Sequence, residues 1–270
     1  MKKITVAVVL FALLTGCTKQ FIQIYDTGST NTQSKDNHFV FENDTLKITY
    51  SFWASKGLMS FNIYNKLSKP IYLDWKNSSF IYNDHKLNYW LEEDQANVSE
   101  KSNGHSFNGP LNKLRTTMNE GIPNYSSSLV THEQVTFIPP KSNYDRSQFY
   151  LLPVSQCELG LDCQSSVVPR NDKPKRNTTV YGYDFSYSNS PLRFRNYLAL
   201  STSQNSQQFS FIDNEFYLTS VKEMDVRHYR GKSTGNNPDG SIIYEYPFSK
   251  KTSFFNDLES YYYSVEIRKR

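Results

Sequence analysis

The sequence predicts an all-β protein, an antiparallel immunoglobulin-like β-sandwich with long loop insertions. Short runs that alternate apolar and polar residues recur along the chain, with turn signals about every ten residues. No run keeps the roughly 3.6-residue period of an amphipathic helix. The 18 Phe, 20 Tyr and 3 Trp among 270 residues supply enough apolar area for a core, which excludes a disordered chain.

The first residues have the order of an export signal. Lys2 and Lys3 precede an apolar run, residues 4–14, that is too short to cross a bilayer as a helix. Residues 14–17 (LTGC) follow, and they resemble the lipobox of bacterial lipoproteins, in which a lipid is attached to the cysteine and the chain is cut just before it. The alternatives are an ordinary secretory signal with an incidental Cys17, or a buried core segment.

The lipobox resemblance implies that residues 1–16 are a signal peptide and that Cys17 is the lipid attachment site. Acyl chains such as palmitate would then hold the mature protein in a membrane of the cell envelope. Removal of Lys2 and Lys3 leaves 28 basic and 26 acidic side chains, and this net charge of +2 points to no nucleic-acid partner. The basic segment 170–176 (RNDKPKR) is predicted to be a solvated loop, with binding of an acidic partner as the alternative.

The remaining cysteines predict a disulfide. An exported protein occupies an oxidising compartment, and Cys157 and Cys163 are separated by five residues, so a turn can bring them together. A two-cysteine metal site is the less favoured interpretation, because no His or second Cys pair lies nearby. We therefore expect no metal and no cofactor.

The chain after Cys17 divides into a tether and a domain. Residues 17–38 are polar and rich in turn formers, apart from Phe21, Ile22, Ile24 and Tyr25, and are predicted to be a flexible tether. Residues 39–270 are predicted to form one β-rich domain, with an immunoglobulin-like unit at 39–90 and the remaining strands at 130–270. The polar, irregular segment 92–129 is predicted to be a long loop within it.

Alternation places the first strands at residues 46–52, 59–63 and 71–75. A hairpin follows, in which residues 79–82 and 86–90 flank Asn83, Asp84 and His85. Further strands are predicted at residues 135–138, 148–154, 193–201 and 209–211. Residues 179–187 place four aromatic side chains on one face, and residues 215–229 and 241–246 are predicted to pair as a long hairpin across a Pro-Asp-Gly turn.

Short motifs predict no catalytic or metal-binding residue. Residues 231–235 (GKSTG) match a nucleophile-elbow pattern, but residues 236–240 (NNPDG) cannot begin the helix that this motif requires, so Ser233 is predicted to lie in a hairpin loop. A phosphate loop would need glycine where Val226 stands. His132 and Glu133 lack the second histidine of a zinc protease, and the acidic residues 92–94 lack the spacing of a calcium loop.

Aromatic side chains in the first unit give the one positive indication of a binding site. Tyr72, Trp75 and Trp90 are candidates to face a ligand, because a sugar ring can lie flat on such a side chain; the alternative is that they pack the core. Trp75 shares a face with Ile71 and Leu73, which favours the core. Tyr72 lies on the opposite face, which favours exposure.

Two further segments, residues 65–75 (NKLSKPIYLDW) and 190–198 (SPLRFRNYL), resemble parts of lipoproteins of Bacteroidota that have no assigned activity. The resemblance implies an envelope location and a β-rich architecture only. Acidic residues, which mark surface export in those bacteria, are absent after Cys17, where Thr18, Lys19 and Gln20 follow. A periplasm-facing anchor in the outer membrane is therefore expected.

These observations favour a lipid-anchored envelope protein whose β-sandwich binds a partner or has a structural role without catalysis. The alternatives are an envelope hydrolase acting on glycan or peptide, and a glycan-binding module. The expected partners are the membrane, through the lipid anchor, and an envelope protein or glycan.

Overall fold

Two antiparallel sheets of nine and five strands form the body of the protein. The structure, a computed structural model, describes residues 20–90, 114–115, 133–152, 158–159, 163–204 and 208–258. The strands are β1 Phe21–Ser29, β2 Gln33–Lys35, β3 His38–Glu42, β4 Leu46–Ser51, β5 Leu58–Asn65, β6 Ile71–Tyr82, β7 His85–Asn88, β8 Leu114–Arg115, β9 Val135–Ile138, β10 Asn143–Tyr150, β11 Glu158–Leu159, β12 Gln164–Pro169, β13 Asn177–Asp184, β14 Arg193–Ser201, β15 Ser210–Asp225, β16 Ser233–Asn236, β17 Ile242–Tyr244 and β18 Ser253–Leu258.

The five-stranded sheet has the order β10-β5-β4-β3-β2. Its strands follow the predicted alternation: in β4, Leu46, Ile48 and Tyr50 are buried while the residues between them are partly exposed. In β5, Met59 and every second residue after it is buried in the same way. One face of this sheet therefore packs on the core and the other meets solvent.

The nine-stranded sheet is organised around β15, which has 16 residues. The first half of β15 pairs with β14, and its second half pairs with β1 on one side and β13 on the other. Beyond these, β18 pairs with β1, β12 with β13, and β6 with β14, β7 and β9. A long central strand thus joins two groups of shorter ones.

Aromatic side chains fill the space between the sheets. The fully buried ones include Trp75, Phe52, Phe80, Phe194 and Phe216, and the rings of Phe52 and Phe216 meet edge to face with centroids 5.1 Å apart. Each such side chain contributes about 1.5–3 kcal/mol by leaving water. The antiparallel sandwich predicted from the sequence is confirmed, and many of the described aromatic side chains are buried in its core.

A buried polar network crosses this core. The Tyr50 hydroxyl, on the five-stranded sheet, donates to Asn214 Oδ1 at 2.8 Å and accepts from Asn196 Nδ2 at 3.2 Å, both on the nine-stranded sheet. The Tyr89 hydroxyl donates to Asn196 Oδ1 at 2.7 Å. Burial raises the pKa of Tyr50, so the hydroxyl keeps its proton and remains a donor. The network fixes the register between the two sheets.

The tether predicted for residues 17–38 is wrong over most of the described part, because residues Phe21–Ser29 form β1. This strand is central in its sheet: it pairs with β15 on one side and β18 on the other. Ile22, Ile24 and Tyr25 are buried, so both faces of β1 are covered. Residues that looked like exceptions in a polar segment are core residues.

The long hairpin predicted for residues 215–229 and 241–246 is also wrong. Asp225 ends β15 and caps the helix α1 (Val226–Arg230), since its carboxylate accepts a hydrogen bond from the Arg227 backbone N–H at 2.8 Å. The strand β17 instead pairs with β16 in a short separate hairpin. The Asn83-Asp84 turn joins β6 and β7 as predicted, with both residues at positive φ.

Strands from both predicted parts of the domain share the same sheets. Strand β10 pairs with β5, and β14 pairs with β6, so residues 39–90 do not form a sheet system of their own. Most of the predicted loop 92–129 falls outside the described residues. Within it, β8 pairs with β11 in a small separate sheet.

Candidate functional site

Aromatic side chains line the solvent-facing side of the nine-stranded sheet at one end. Side chains that lie opposite one another on paired strands share a face, and Tyr72 on β6 is paired with both Phe137 on β9 and Ser201 on β14. Phe211 on β15 is paired with Ala199, two residues before Ser201 on the same face. We name this surface the outer aromatic face and define it by Tyr72, Phe137, Tyr197, Phe209 and Phe211.

The rings of the outer aromatic face are in contact with each other and with solvent. Phe137 is 50% exposed and Phe211 is 53% exposed, although both are large apolar side chains. The Tyr72 and Phe137 centroids lie 5.6 Å apart, and Tyr197 stacks on Phe211 at 5.2 Å with an interplanar angle of 21°. Exposed apolar residues are ordinary when they are scattered, whereas clustered ones are found more often at binding surfaces.

Charged pairs border the aromatic rings on the same face. The Arg195 guanidinium makes a two-point ion pair with the Asp213 carboxylate, and its Nε donates at 3.0 Å. This hydrogen bonding raises the pKa of Arg195. Farther along, the Tyr187 hydroxyl donates to Glu215 Oε1 at 2.9 Å. The face therefore combines flat apolar platforms with oriented donors and acceptors, the mixture that polar ring-shaped ligands require.

The three aromatic residues predicted to face a ligand have different positions. Tyr72 is partly exposed and belongs to the outer aromatic face. Trp75 is fully buried. The prediction that it faces a ligand is therefore wrong, and the alternative, that it packs in the core, is correct. The Trp75 indole N–H donates to Thr136 Oγ1 at 2.8 Å, and the Arg146 guanidinium lies 3.7 Å from its ring centroid. Trp90 is partly buried against the core, with Lys76 Nζ 5.5 Å from its ring centroid.

A groove of about 170 Å³ lies where β12, β13 and β15 meet. Its lining includes Gln164, Tyr181, Gly182, Asp184 and Lys222. A methyl group at Gly182 would come 2.7 Å from the Val221 carbonyl oxygen, so glycine is what permits the close approach of β13 to β15. Pockets that enclose a drug-sized ligand measure about 300–1,000 Å³, so this groove would hold only a small group.

An acidic residue on β1 holds the edge of this region together. Asp26 forms an ion pair with Lys222 Nζ at 2.8 Å and accepts hydrogen bonds from the Ser253 and Ser220 hydroxyls at 2.7 and 2.9 Å. Burial alone would raise the pKa of Asp26. The hydrogen bonds and the Lys222 charge outweigh that effect, so the pKa lies below its ordinary value.

The opposite end of the nine-stranded sheet, where the described chain begins, carries a different surface. The Gln20 carbonyl accepts a hydrogen bond at 3.0 Å from the backbone N–H of Val226, the first residue of α1. The loop 170–176 packs on the same helix, because the Asn171 backbone N–H donates to His228 Nδ1 at 3.2 Å and Asn171 Nδ2 donates to the His228 carbonyl at 2.9 Å. Burial lowers the pKa of His228, which keeps Nδ1 able to accept.

A hairpin extends from the last turn of α1 at this end. The Tyr246 ring lies 5.3 Å from Tyr229 of the helix, and the Arg230 guanidinium lies 5.6 Å from the Tyr244 ring centroid. Ile242 and Ile243 on β17 are 50% and 42% exposed. We name the loop 170–176, the helix α1 and the hairpin 232–246 together the basal surface.

The other predicted sites lie in or near these regions, or outside the described residues. Cys17 and Cys157 are outside, so the lipid attachment and the disulfide stay predictions; Cys163 lies just before β12, partly buried against the core. Ser233 was predicted to lie in a hairpin loop, but it belongs to the exposed strand β16, where it is paired with Tyr244. Within the described ranges, no group of three or more His, Cys, Asp or Glu side chains could hold a metal ion.

In the part of the chain that the structure describes, no helix is long and apolar enough to cross a bilayer. The sequence pattern does not identify Phe137 and Phe211 as site residues, although both lie in predicted strands. Strand β9 pairs with β6 and β15 pairs with β14, and these pairings bring Phe137 and Phe211 to the same face as Tyr72 from distant parts of the sequence.

No protein-family model, no curated protein and no solved structure matches this chain.

Proposed function

We propose that this protein is a lipid-anchored component of the cell envelope whose sandwich binds a partner without catalysis, through the outer aromatic face. The observation that carries the binding role is the presence of two ring contacts, of Phe137 with Tyr72 and of Phe211 with Tyr197, on a solvent-facing sheet surface. A sheet face that only met solvent would present mainly polar side chains at these positions.

The anchor rests on residues 14–17 and on Cys17 as the first residue of the mature chain. The expected location is the periplasmic side of the outer membrane. Two or more acyl chains on one cysteine hold a protein stably, whereas one chain gives only marginal binding. The lipid would then hold the body on the membrane.

Metabolic labelling with radioactive palmitate tests the anchor. The wild-type protein should be labelled and recovered with membranes, and Cys17→Ala should be neither. Cys163→Ala is the matched control, because it removes a different cysteine and should leave the label in place. Equal labelling of wild type and Cys17→Ala would exclude lipid attachment at this residue.

A glycan is the ligand class that the outer aromatic face favours. Sugar rings stack on flat aromatic side chains, and the Arg195–Asp213 pair beside them offers a donor and acceptor plane. An envelope protein is the other expected partner. A hydrolase acting on glycan or peptide stays a hypothesis, and the groove of about 170 Å³ is small for a polymeric substrate.

Binding to a panel of purified envelope glycans, including peptidoglycan fragments, tests this choice. Phe137→Ala and Phe211→Ala should each weaken binding about fivefold, the loss expected when one ring contact of about 1 kcal/mol is removed. Ile243→Ala, an exposed apolar residue on the basal surface, is the control and should bind normally. Binding that is unchanged in both Phe variants would refute the role of this face.

A further inference from the structure

We propose that the basal surface docks on an anionic phospholipid bilayer, so that the lipid-anchored body stands on the membrane with the outer aromatic face directed away from it. This proposal rests on the proposed lipid anchor and adds a second contact with the membrane. Three features of the basal surface support it: its position in the chain, its charge and its exposed apolar side chains.

The position follows from covalent reach. Only Thr18 and Lys19 separate Cys17 from Gln20, so the Cα atom of the proposed lipid-bearing Cys17 lies within about 11 Å of the Gln20 Cα atom. The Gln20 carbonyl accepts a hydrogen bond from the backbone N–H of Val226, the first residue of α1. With β1 fixed at the centre of the sheet, no long spacer separates the lipid from the body. The surface around α1 must therefore lie close to the headgroups.

The charge of this surface is complementary to an anionic bilayer. The loop 170–176 contains four basic residues and one acidic residue. The acidic residue, Asp172, is paired with Arg170, whereas Lys173, Lys175 and Arg176 are exposed. In α1, Arg227 pairs with the capping residue, Asp225. A cluster of cations beside a lipid anchor is a recurrent second signal for membrane attachment, because each one is attracted to acidic headgroups.

The hairpin of the basal surface supplies exposed apolar side chains. Ile242 and Ile243 are the largely exposed apolar side chains of β17, and Tyr246 follows at 46% exposure. Lys232 lies on the opposite arm, while Asp239 and Glu245 are the acidic residues of the hairpin. The hairpin therefore contributes apolar side chains, whereas the cations come from the loop 170–176 and α1. Exposed apolar side chains suit the boundary between headgroups and acyl chains, and cations suit the headgroups themselves.

The orientation follows from β15. This strand pairs with β1 at Asp225 and with β14 at Phe211, so its two ends carry the basal surface and the outer aromatic face. At about 3.3 Å per residue, the fourteen steps from Phe211 to Asp225 in β15 span about 45 Å. A body that docks by its basal surface therefore presents the outer aromatic face to ligands well clear of the headgroups.

Vesicle partitioning tests the docking without the lipid. The mature chain, residues 17–270 with Cys17→Ser, is mixed with vesicles of phosphatidylglycerol and phosphatidylethanolamine, or of phosphatidylcholine alone. We expect binding to the first kind and not to the second, weakened by added salt. The triple variant K173Q/K175Q/R176Q should bind about 100-fold more weakly, at roughly fivefold for each basic residue, and I242S/I243S about tenfold more weakly.

Matched variants elsewhere on the surface control for general effects. K35Q/K69Q/K86Q removes the same charge from exposed positions outside the basal surface, and Phe211→Ser removes an exposed apolar side chain at the far end of β15. Both should bind vesicles as the parent chain does. Equal binding to the two kinds of vesicle, or equal losses in basal and control variants, would overturn the docking proposal.

The palmitate labelling of Cys17 separates this proposal from the anchor on which it rests. If the wild-type chain is labelled but the mature chain ignores anionic vesicles, the docking proposal fails and the anchor stands. If the label is absent but the vesicles bind the mature chain, the anchor fails and the basal surface is a membrane-binding site in its own right.

Discussion

Replacement of Ile24 by alanine should destabilise the whole body, because β1 is part of the core. Ile24 is 1% exposed and belongs to a second apolar cluster with Ile22, Met224 and Tyr229, on the side of the sheet covered by α1. The change removes three carbon groups, which at roughly 0.8 kcal/mol each amounts to about 2.4 kcal/mol. The cavity left behind raises the expected cost to about 3–4 kcal/mol.

The assay is equilibrium unfolding in urea, followed by circular dichroism and by tryptophan fluorescence. Ile242→Ala makes the same chemical change at a 50% exposed position, and should alter the free energy of unfolding by less than about 0.5 kcal/mol. A single domain of this kind has only about 5–15 kcal/mol of stability, so the difference between the two variants is large. If both variants changed the free energy of unfolding by less than about 0.5 kcal/mol, β1 would not be a core strand, and a flexible tether would again be the better description of this segment.

Three further outcomes are expected. Tyr50→Phe should cost about 1–3 kcal/mol in urea unfolding, because Asn214 Oδ1 loses its buried donor; an unchanged midpoint would contradict the network. The pKa of Asp26 is lowered in the fold, so the ionised carboxylate stabilises the protein fully above the ordinary carboxyl pKa of about 3.9. This stabilisation is lost as the pH falls through the pKa of the folded protein. Asp26→Asn should therefore reduce the loss of unfolding free energy at acid pH. The lowered pKa of His228 predicts an NMR titration midpoint below about 6.5, with stability falling as acid protonates Nδ1; a midpoint above 6.5 would contradict its burial.

The sandwich could be predicted because alternation is a local signal. In β6, Ile71, Leu73 and Trp75 point to the core and Tyr72 to solvent, as the period of two residues requires. The same signal was present in β1 at Ile22 and Ile24. The polar residues that follow Tyr25 nevertheless favoured a tether. In the fold their hydroxyl groups donate hydrogen bonds to the carbonyl oxygens of Glu215 and Thr252, and partners so far along the chain cannot be inferred from the local sequence.

The candidate site was only partly predictable, because it is assembled from distant strands. Tyr72 could be nominated from its own strand, but its contact with Phe137 depends on the pairing of β9 with β6, and Phe211 depends on β15. Helix α1 was missed because five residues give no helical period, and its cap, Asp225, ends a strand. Pairing across long sequence separations leaves no trace in a single sequence.

The position of β1 also sets the order in which the protein can be completed. Gln23 is hydrogen-bonded to Glu223, 200 residues later, and Asp26 to Ser253, 227 residues later. During synthesis, which begins at the N-terminus, β1 must therefore remain unpaired until nearly all the described residues have been made. Closure of such long loops is slow, and an unpaired strand is exposed to aggregation in the meantime. The strand nearest to Cys17 is made first, and its pairings with β15 and β18 cannot form until those strands have followed.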